Sequence, residues 1–154
     1  MERRYTVVIS TDGACSNNPG IGGWAAVMHC GNNTKELSGV DPKTTNNRME
    51  LRAVIEAVRV LTKPCDITIR TDSEYVINGI ANAKERIANG WKTKSGARCA
   101  NAEMWQELTE LGKNGKHKFH YLKVQGHSGD PDNERCDYLA KNRILAYKSQ
   151  EEDK

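Results

Sequence analysis

The sequence predicts an α/β protein in which a mixed β-sheet is flanked by helices. Three strand-like segments near the N-terminus follow one another through short connections, which is typical of an antiparallel meander. After them, segments with helical periodicity alternate with short strand-like runs, which is typical of βα units. The predicted order is β-β-β-α-β-α-α-β-α, and the 154 residues are enough for one domain with a buried core.

The first three strands are predicted from alternating apolar residues and from the turns between them. In the first strand, Tyr5, Val7 and Ile9 fall on one face. A stretch rich in glycine, asparagine and proline predicts a loop over residues 13–23, and residues 31–33 (Gly-Asn-Asn) predict a hairpin turn. The strands predicted in this part of the chain cover residues 5–11, 24–29 and 35–40.

Four helices and two further strands are predicted in the rest of the chain. Leu51, Val54, Val58 and Leu61 recur at helical spacing in the first of these helices. Ser73 precedes the second helix and is its predicted N-cap. The predicted helices cover residues 46–61, 73–80, 101–111 and 131–147, and the predicted strands cover residues 67–71 and 119–124.

The domain organisation predicted from the sequence is simple. Residues 1–149 are expected to form one domain, and residues 150–154 a flexible acidic tail. Residues 82–100 are polar and rich in turn residues, which predicts an insertion standing off the sheet.

Composition excludes several classes of protein. The hydrophobic fraction of 37% and the charged fraction of 28% are typical of a globular protein rather than a disordered one. There is no apolar run long enough for a membrane span and no signal-peptide core, so a cytoplasmic protein is expected. An odd number of widely spaced cysteines without a C-x-x-C pair predicts reduced thiols rather than disulfides or a zinc site. These cysteines are Cys15, Cys30, Cys65, Cys99 and Cys136.

The net charge of +3 is unevenly distributed along the chain. Lysines and arginines dominate residues 83–98 and 113–123, whereas the acids cluster elsewhere. Such basic runs can face the phosphates of a polyanion. From charge alone, a solvated lysine-rich surface is the more common explanation of such runs, and binding to a polyanion stays open.

Four acids stand at positions where a carboxylate is unusual or well placed for chemistry. Asp12 and Asp72 each follow a predicted strand in the same Thr-Asp context, and ligands of α/β sheets gather beyond strand ends. Glu50 and Asp137 share helix faces with apolar residues, and acids are rarely buried unless paired or metal-bound.

A structural explanation exists for each of these acids. Aspartate is common where a strand gives way to a turn or a helix cap. Arg48 is a possible ion-pair partner of Glu50, and Arg135 or Lys141 of Asp137. Alternatively, the two helical acids lie at the edge of the apolar stripe, in water.

If the four acids converge, their mutual repulsion requires either protons or bound cations. Oxygen-only ligands suit Mg²⁺ or Mn²⁺, and two such ions can clamp an in-line phosphoryl displacement. His127 lies between glycines in a Gly-His-Ser-Gly segment, where it can shuttle a proton or be a surface histidine without a role.

Four motifs that carry these residues resemble those of type 1 ribonucleases H. They occur in the order of that family over about 125 residues. The motifs are Thr11-Asp12-Gly13-Ala14-Cys15-Ser16-Asn17-Asn18-Pro19-Gly20, Thr45-Asn46-Asn47-Arg48-Met49-Glu50-Leu51, Thr71-Asp72-Ser73-Glu74-Tyr75-Val76, and Gly126-His127-Ser128-Gly129 with Asn133-Glu134-Arg135-Cys136-Asp137.

The resemblance implies a ribonuclease H-like fold with a five-stranded mixed sheet. It also implies hydrolysis of the RNA strand of RNA–DNA hybrids with two Mg²⁺ ions, leaving 5′-phosphate and 3′-hydroxyl ends, and Mn²⁺ as a possible substitute. The implied metal-binding catalytic acids are Asp12, Glu50, Asp72 and Asp137, and His127 would assist proton transfer or product release.

The resemblance further implies a set of substrate contacts. Cys15, Asn18 and Asn46 would lie along the minor groove of the hybrid, where the 2′-OH distinguishes RNA from DNA. Thr45 and Asn101 match a pocket that grips a phosphate of the DNA strand. Residues 90–94, which include Trp91, resemble a basic protrusion that packs on the substrate.

One departure from the family pattern concerns the DNA strand. Ala83 occupies a position where many relatives carry a tryptophan, and the loss of one stacking contact costs about 1–3 kcal/mol. We therefore expect a competent enzyme that binds the hybrid weakly and with marked salt dependence.

Three other functions compete with this interpretation. A nuclease or strand transferase of similar fold that acts on DNA would share the acids but usually lacks the asparagine-rich motifs. A hybrid-binding module without activity would require a damaged acid set, and a structural metal-binding domain leaves the four motifs unexplained. Nothing in the sequence demands an oligomer, so a monomer is expected.

Overall fold

The fold is built on one five-stranded mixed sheet, as predicted. The computed structural model describes residues 4–126 and 129–152. The strands lie in the order β3-β2-β1-β4-β5, with β1–β2 and β2–β3 antiparallel and β1–β4 and β4–β5 parallel. The five strands are β1 (Tyr5–Cys15), β2 (Gly20–Cys30), β3 (Asn33–Thr44), β4 (Cys65–Thr71) and β5 (His117–Lys123).

The glycine-rich stretch predicted as a loop over residues 13–23 is mostly strand. β1 continues to Cys15 and β2 begins at Gly20, so the connection is only residues 16–19. The reason is pairing, because the antiparallel register continues to Cys15 opposite Gly22 and supplies backbone partners to residues of low strand propensity. The prediction of a long loop was therefore wrong.

In the part of the chain that the structure describes, five α-helices flank the sheet, one more than the sequence predicted. They are α1 (Asn46–Arg59), α2 (Glu74–Ala81), α3 (Ala83–Ala88), α4 (Ala102–Leu111) and α5 (Pro131–Glu152). The additional helix, α3, begins the segment that was predicted as an irregular insertion. Helix α5 continues five residues beyond the predicted end at residue 147 and includes residues 150–152 of the expected tail.

Two side-chain caps set the starts of helices beside the strand ends. The Thr45 hydroxyl accepts a hydrogen bond from the Arg48 N–H and caps α1. The Ser73 hydroxyl accepts one from the Val76 N–H and caps α2, as predicted. Each cap satisfies a backbone donor that the first helical turn leaves without a partner.

The sheet is covered on both faces. The main core lies between one face and α1, α2 and α4, and includes Ile9, Leu51 and Ile67, all fully buried. On the other face α5 packs over β1 and β2 through a small cluster of short side chains, which are Ala25, Val27, Cys136 and Ala140.

The segment between α3 and α4 is anchored to the main core rather than standing free. Trp91 and Cys99 are 6% and 7% exposed and belong to that core. Between them, Lys92 and Arg98 form an isolated antiparallel bridge. In the two described ranges, 4–126 and 129–152, no helix is both long enough and apolar enough to cross a membrane.

Candidate active site

The structure brings three of the four predicted site carboxylates together, just beyond the point where the parallel pairing of the interior strands β1 and β4 ends. Asp12 lies in β1, Asp72 directly follows β4, and Glu50 lies near the N-terminus of α1. One oxygen from each of these three side chains lies within 4.8 Å of the others. Asp137, in the second turn of α5, lines the same cleft.

A glycine allows Glu50 to reach Asp12. A Cβ atom at Gly13 would lie 2.4 Å from the backbone nitrogen of Glu50, so only glycine lets α1 cross β1 this closely. The Gly13 N–H also donates a hydrogen bond to Glu50 Oε1 at 3.0 Å. The sequence Asp12-Gly13 therefore provides both an acid and the space for a second acid beside it.

The two innermost acids are buried, and burial controls their protonation. Asp12 is 7% exposed and Glu50 is 8% exposed. Burial raises the pKa of Asp12 to about 7, and the negative charges of Asp72 and Asp137 contribute to the rise. Burial also raises the pKa of Glu50 well above its ordinary value, with the charge of Asp12 as the next cause.

Asp137 differs from the inner acids in exposure and in its partner. Its side chain is 26% exposed and forms an ion pair with Lys141, which lies one turn further along α5, with Nζ 3.1 Å from Oδ2. This is one of the two structural partners that the sequence suggested. The other, Arg135, binds Glu36 of β3 instead, at 2.7 Å.

Within the described residues, Glu50 forms no such ion pair. Arg48, its suggested partner, turns away from the cluster and binds Glu103 at 2.6 Å and Asn101 Oδ1 at 3.0 Å. The second carboxylate oxygen of Glu50 is buried, and no described residue donates a hydrogen bond to it. A buried acceptor of this kind is costly unless something positive binds it.

This donor set fits a hard divalent cation. All of the clustered ligand atoms are carboxylate oxygens, which Mg²⁺ and Mn²⁺ prefer over nitrogen or sulfur ligands. A cation at this point would compensate the mutual repulsion of the acids and engage the free oxygen of Glu50. The described residues placed to hold it together are Asp12, Glu50 and Asp72, and Asp137 lines the same cleft.

The acids line an open cleft of about 450 Å³. Some of its residues were not singled out from the sequence, although the spacing of two of them carried a signal. Asn133 and Lys141 stand one turn before and one turn after Asp137, so they share its helix face. The lining residues that were not assigned to the site from the sequence are Gly13, Ala14, Asn47, Ser73, Asn133 and Lys141.

Three residues expected to contact the minor groove lie along one side of this cleft. Cys15 and Asn46 line it directly. Asn18 is exposed and its side-chain oxygen accepts a hydrogen bond from the Asn46 N–H at 3.2 Å, which joins the β1–β2 connection to the start of α1.

Thr45 and Asn101, the expected phosphate contacts, are joined through Arg48. The Arg48 backbone N–H donates to Thr45, and its guanidinium donates to Asn101. The Asn101 amide in turn donates to the Tyr75 hydroxyl at 3.1 Å, so its orientation is held from both ends. Asn101 itself has a left-handed backbone, with φ of 58°.

The expectation that Trp91 packs on the substrate does not fit the structure, because its ring is buried in the main core. The exposed charged groups of residues 90–94 are Lys92 and Lys94, and Arg98 further along the segment is also exposed. Ala83 begins α3 and lines an apolar groove beside α4. His127 lies outside the described residues.

Comparisons with known proteins identify the family of this chain. The sequence profile of the family described as RNase H matches residues 4–144. The Ribonuclease H of Acetivibrio thermocellus is 49% identical over 140 residues, which are 90% of this chain and 94% of the relative.

Two solved structures share the fold. LC9-RNase H1, a type 1 RNase H with the type 2 active-site motif, superposes with a TM-score of 0.82 at 29% identity, covering 94% of this chain and 74% of that one. LC11-RNase H1 in complex with an RNA/DNA hybrid has a TM-score of 0.66 at 21% identity, covering 92% and 98%, and this likeness concerns the fold. With acids clustered in its cleft and a profile match over most of its length, the chain belongs to the ribonuclease H family.

Proposed function

We propose that this protein is an endonuclease that hydrolyses the RNA strand of RNA–DNA hybrids and leaves 5′-phosphate and 3′-hydroxyl ends. The observation that carries the proposal is the cluster of Asp12, Glu50 and Asp72 at the floor of an open cleft, in a chain of the ribonuclease H family. LC11-RNase H1, which has the same fold, was solved with an RNA/DNA hybrid.

The proposed cofactor is Mg²⁺, with Mn²⁺ as a substitute, held by Asp12, Glu50, Asp72 and Asp137. A pair of bound divalent ions would supply an activated water and stabilise the leaving oxygen of the RNA strand. The oxygen-only donor set and the unpartnered Glu50 oxygen support this assignment.

The buried acids would also couple proton binding to cation binding. With pKa values raised by burial, Asp12 and Glu50 hold a proton between them near neutral pH in the metal-free protein. Both carboxylates must be ionised to bind a cation, so cation binding should release protons and strengthen as pH rises. Asp137 stays accessible at the rim, where Lys141 is its counter-charge.

Substrate recognition is proposed for two groups of residues. Cys15, Asn18 and Asn46 would follow the minor groove, where the 2′-OH of the RNA strand can be contacted. Thr45 and Asn101, which Arg48 links, would bind a phosphate of the DNA strand. Cys15 and Asn46 line the same cleft as the acids, so binding along the minor groove would place the RNA strand over the cluster.

The basic segment would add electrostatic attraction. Lys92 and Lys94 are exposed, and phosphate contacts of this type make binding weaker as salt is raised. Ala83 offers no aromatic surface for stacking, which is consistent with weak hybrid binding. His127 is proposed to assist proton transfer or product release, and its replacement by alanine should slow turnover without eliminating it.

We further propose a monomer that acts in the cytosol, with residues 1–149 as one domain. The free thiols of all five cysteines support a reducing compartment. Within the described residues, the acid cluster is assembled from one chain alone, so the proposed site needs no second copy.

The proposal is tested by cleavage of a labelled RNA–DNA hybrid, with duplex DNA, single-stranded RNA and duplex RNA as alternative substrates. Each is incubated with Mg²⁺, with Mn²⁺ or with chelator. Metal-dependent cutting confined to the RNA strand of the hybrid is expected. Cutting of duplex DNA would favour a DNA nuclease, and binding of hybrid without cutting would favour a binding module.

A further inference from the structure

An arginine in the middle of the molecule joins the three elements that carry three of the four acids. Arg70, in β4, forms an ion pair with Asp130 and donates a hydrogen bond to Ser10 Oγ in β1 at 3.0 Å. The Arg70 and Asp130 side chains are 22% and 20% exposed. Water therefore screens this pair less than the surface pairs of the protein.

Each residue of this contact lies on or directly beside the same element as one of the acids of the site. Ser10 and Arg70 are neighbours in the parallel β1–β4 register. Asp12 and Asp72 each follow two residues later in the chain, so they share the α5-facing side of the sheet with Ser10 and Arg70. Asp130 precedes Asp137 by seven residues, which is two helical turns or about 10 Å along α5.

Asp130 also starts α5. Its side-chain oxygen accepts a hydrogen bond from the Asn133 N–H at 3.0 Å, and its carbonyl accepts one from the Glu134 N–H at 3.0 Å. The Arg70 guanidinium lowers the pKa of Asp130, so the cap is ionised at neutral pH. The N-terminus of the helix is thereby held at the end of the sheet where the acids lie.

The apolar contacts of α5 specify its position less sharply. Beneath the helix lie Ala25 and Val27, which pack against Cys136 and Ala140. These four side chains are short, and short side chains interlock less than long ones when a helix shifts along a sheet. Among longer side chains of α5, Leu139 packs against the cluster and Ile144 is buried. The Arg70–Asp130 contact adds a directional constraint at the start of the helix and ties it to β4, whereas His29–Asp132 and Arg135–Glu36 tie it to β2 and β3.

We propose that Arg70 is a positioning residue for the acid site, because it fixes α5, and with it Asp137, relative to the strands that carry Asp12 and Asp72. The inference rests on the proposed metal-dependent function of that site. Arg70 acts through Asp130 and Ser10 and does not itself contact the reacting groups. Its loss should therefore weaken cation binding and turnover while leaving hybrid binding unchanged.

The test uses three variants of the full chain. Arg70→Met removes the ion pair but keeps the apolar stem, Arg70→Lys retains the charge, and Asp130→Asn retains an oxygen that can cap the helix. Mn²⁺ affinity is measured by calorimetry, and kcat and KM are measured on the hybrid. Amide hydrogen exchange of Asn133 and Glu134 is measured in the metal-free protein.

The matched control is Arg135→Met, which removes an ion pair between the same helix and the sheet, at β3 rather than β4. Arg70→Met should weaken Mn²⁺ binding about tenfold, lower kcat to a similar degree and speed exchange at the start of α5, with KM unchanged. Arg70→Lys should restore most of the loss, and Arg135→Met should leave Mn²⁺ affinity unchanged.

Equal Mn²⁺ affinity in Arg70→Met and the unmodified protein would overturn the proposal, as would an equal loss in Arg135→Met. If Arg70→Met does not fold, Asp130→Asn decides between the same two outcomes. If the unmodified protein does not cleave hybrid, the proposed function fails, but the Mn²⁺ isotherms still decide whether Arg70 positions the acids.

Discussion

Replacing Asp12 by asparagine should stabilise the metal-free protein, and the gain should grow with pH. Asp12 has a pKa of about 7 in the folded protein, against 3.8 for an ordinary aspartate. The folded state therefore binds more protons than the unfolded state between these values, so stability falls as pH rises through that window. Well below pH 3.8 Asp12 is protonated in both states and costs the folded protein no stability. Well above pH 7 it is ionised in both states, and the loss of stability has reached its full size.

The size of the effect follows from the two pKa values. The difference between a pKa of 3.8 and one of about 7 lowers the free energy of unfolding by about 4 kcal/mol at pH 8. At pH 5 the same difference lowers it by about 1.5 kcal/mol. Asparagine removes the ionisation, and its amide can donate a hydrogen bond to Glu50. For a chain of this length, about 4 kcal/mol corresponds to a rise in Tm of roughly 10 °C.

The assay is urea unfolding in chelator at pH 5, 6, 7 and 8, analysed by linear extrapolation. Asp66→Asn is the matched control, because Arg4 lowers the pKa of Asp66 and its carboxylate is fully ionised over this range. The control should lose stability by an amount that does not vary with pH. A pH-independent difference for Asp12→Asn, or a loss of stability at pH 8, would refute the argument. Cleavage should be abolished in Asp12→Asn.

Substitutions at three further positions test other parts of the structure. Gly13→Ala should destabilise the fold by about 1–3 kcal/mol and abolish cleavage, because the new Cβ would lie 2.4 Å from the Glu50 nitrogen; wild-type stability in urea unfolding would contradict this close approach. Ser73→Ala should cost about 1 kcal/mol through loss of the α2 cap, and Ser73→Thr should recover most of it in the same assay. Ala83→Trp should lower KM for the hybrid about tenfold without changing kcat, and an unchanged KM would show that this position does not stack on the substrate.

Much of the fold could be predicted because its signals are local. The periodicity of Leu51, Val54 and Val58 identifies α1, and all three side chains are buried as that pattern requires. Ser73 caps α2 as its position suggested. The elements whose limits were missed depend on distant partners, since strand pairing extends β1 into a glycine-rich stretch that has no strand pattern of its own.

The candidate site could be predicted only as a set of residue types. The strand-end positions of Asp12 and Asp72 and the apolar face around Glu50 pointed to those acids. The sequence could not choose among the possible ion pairs, because each choice depends on side chains that are remote in the chain. Arg48 proved to bind Glu103, 55 residues away, which leaves Glu50 to the cluster.

By itself, then, the sequence determined the type of most elements, the five strands of the sheet, the acids and the family motifs around them, since each of these is written in neighbouring residues. Only the tertiary structure decided that three carboxylates meet within 4.8 Å, that Trp91 is a core residue, and that Arg70 reaches Asp130 across 60 residues. Burial and electrostatic coupling arise when distant segments pack together, and no local pattern records which segments those are.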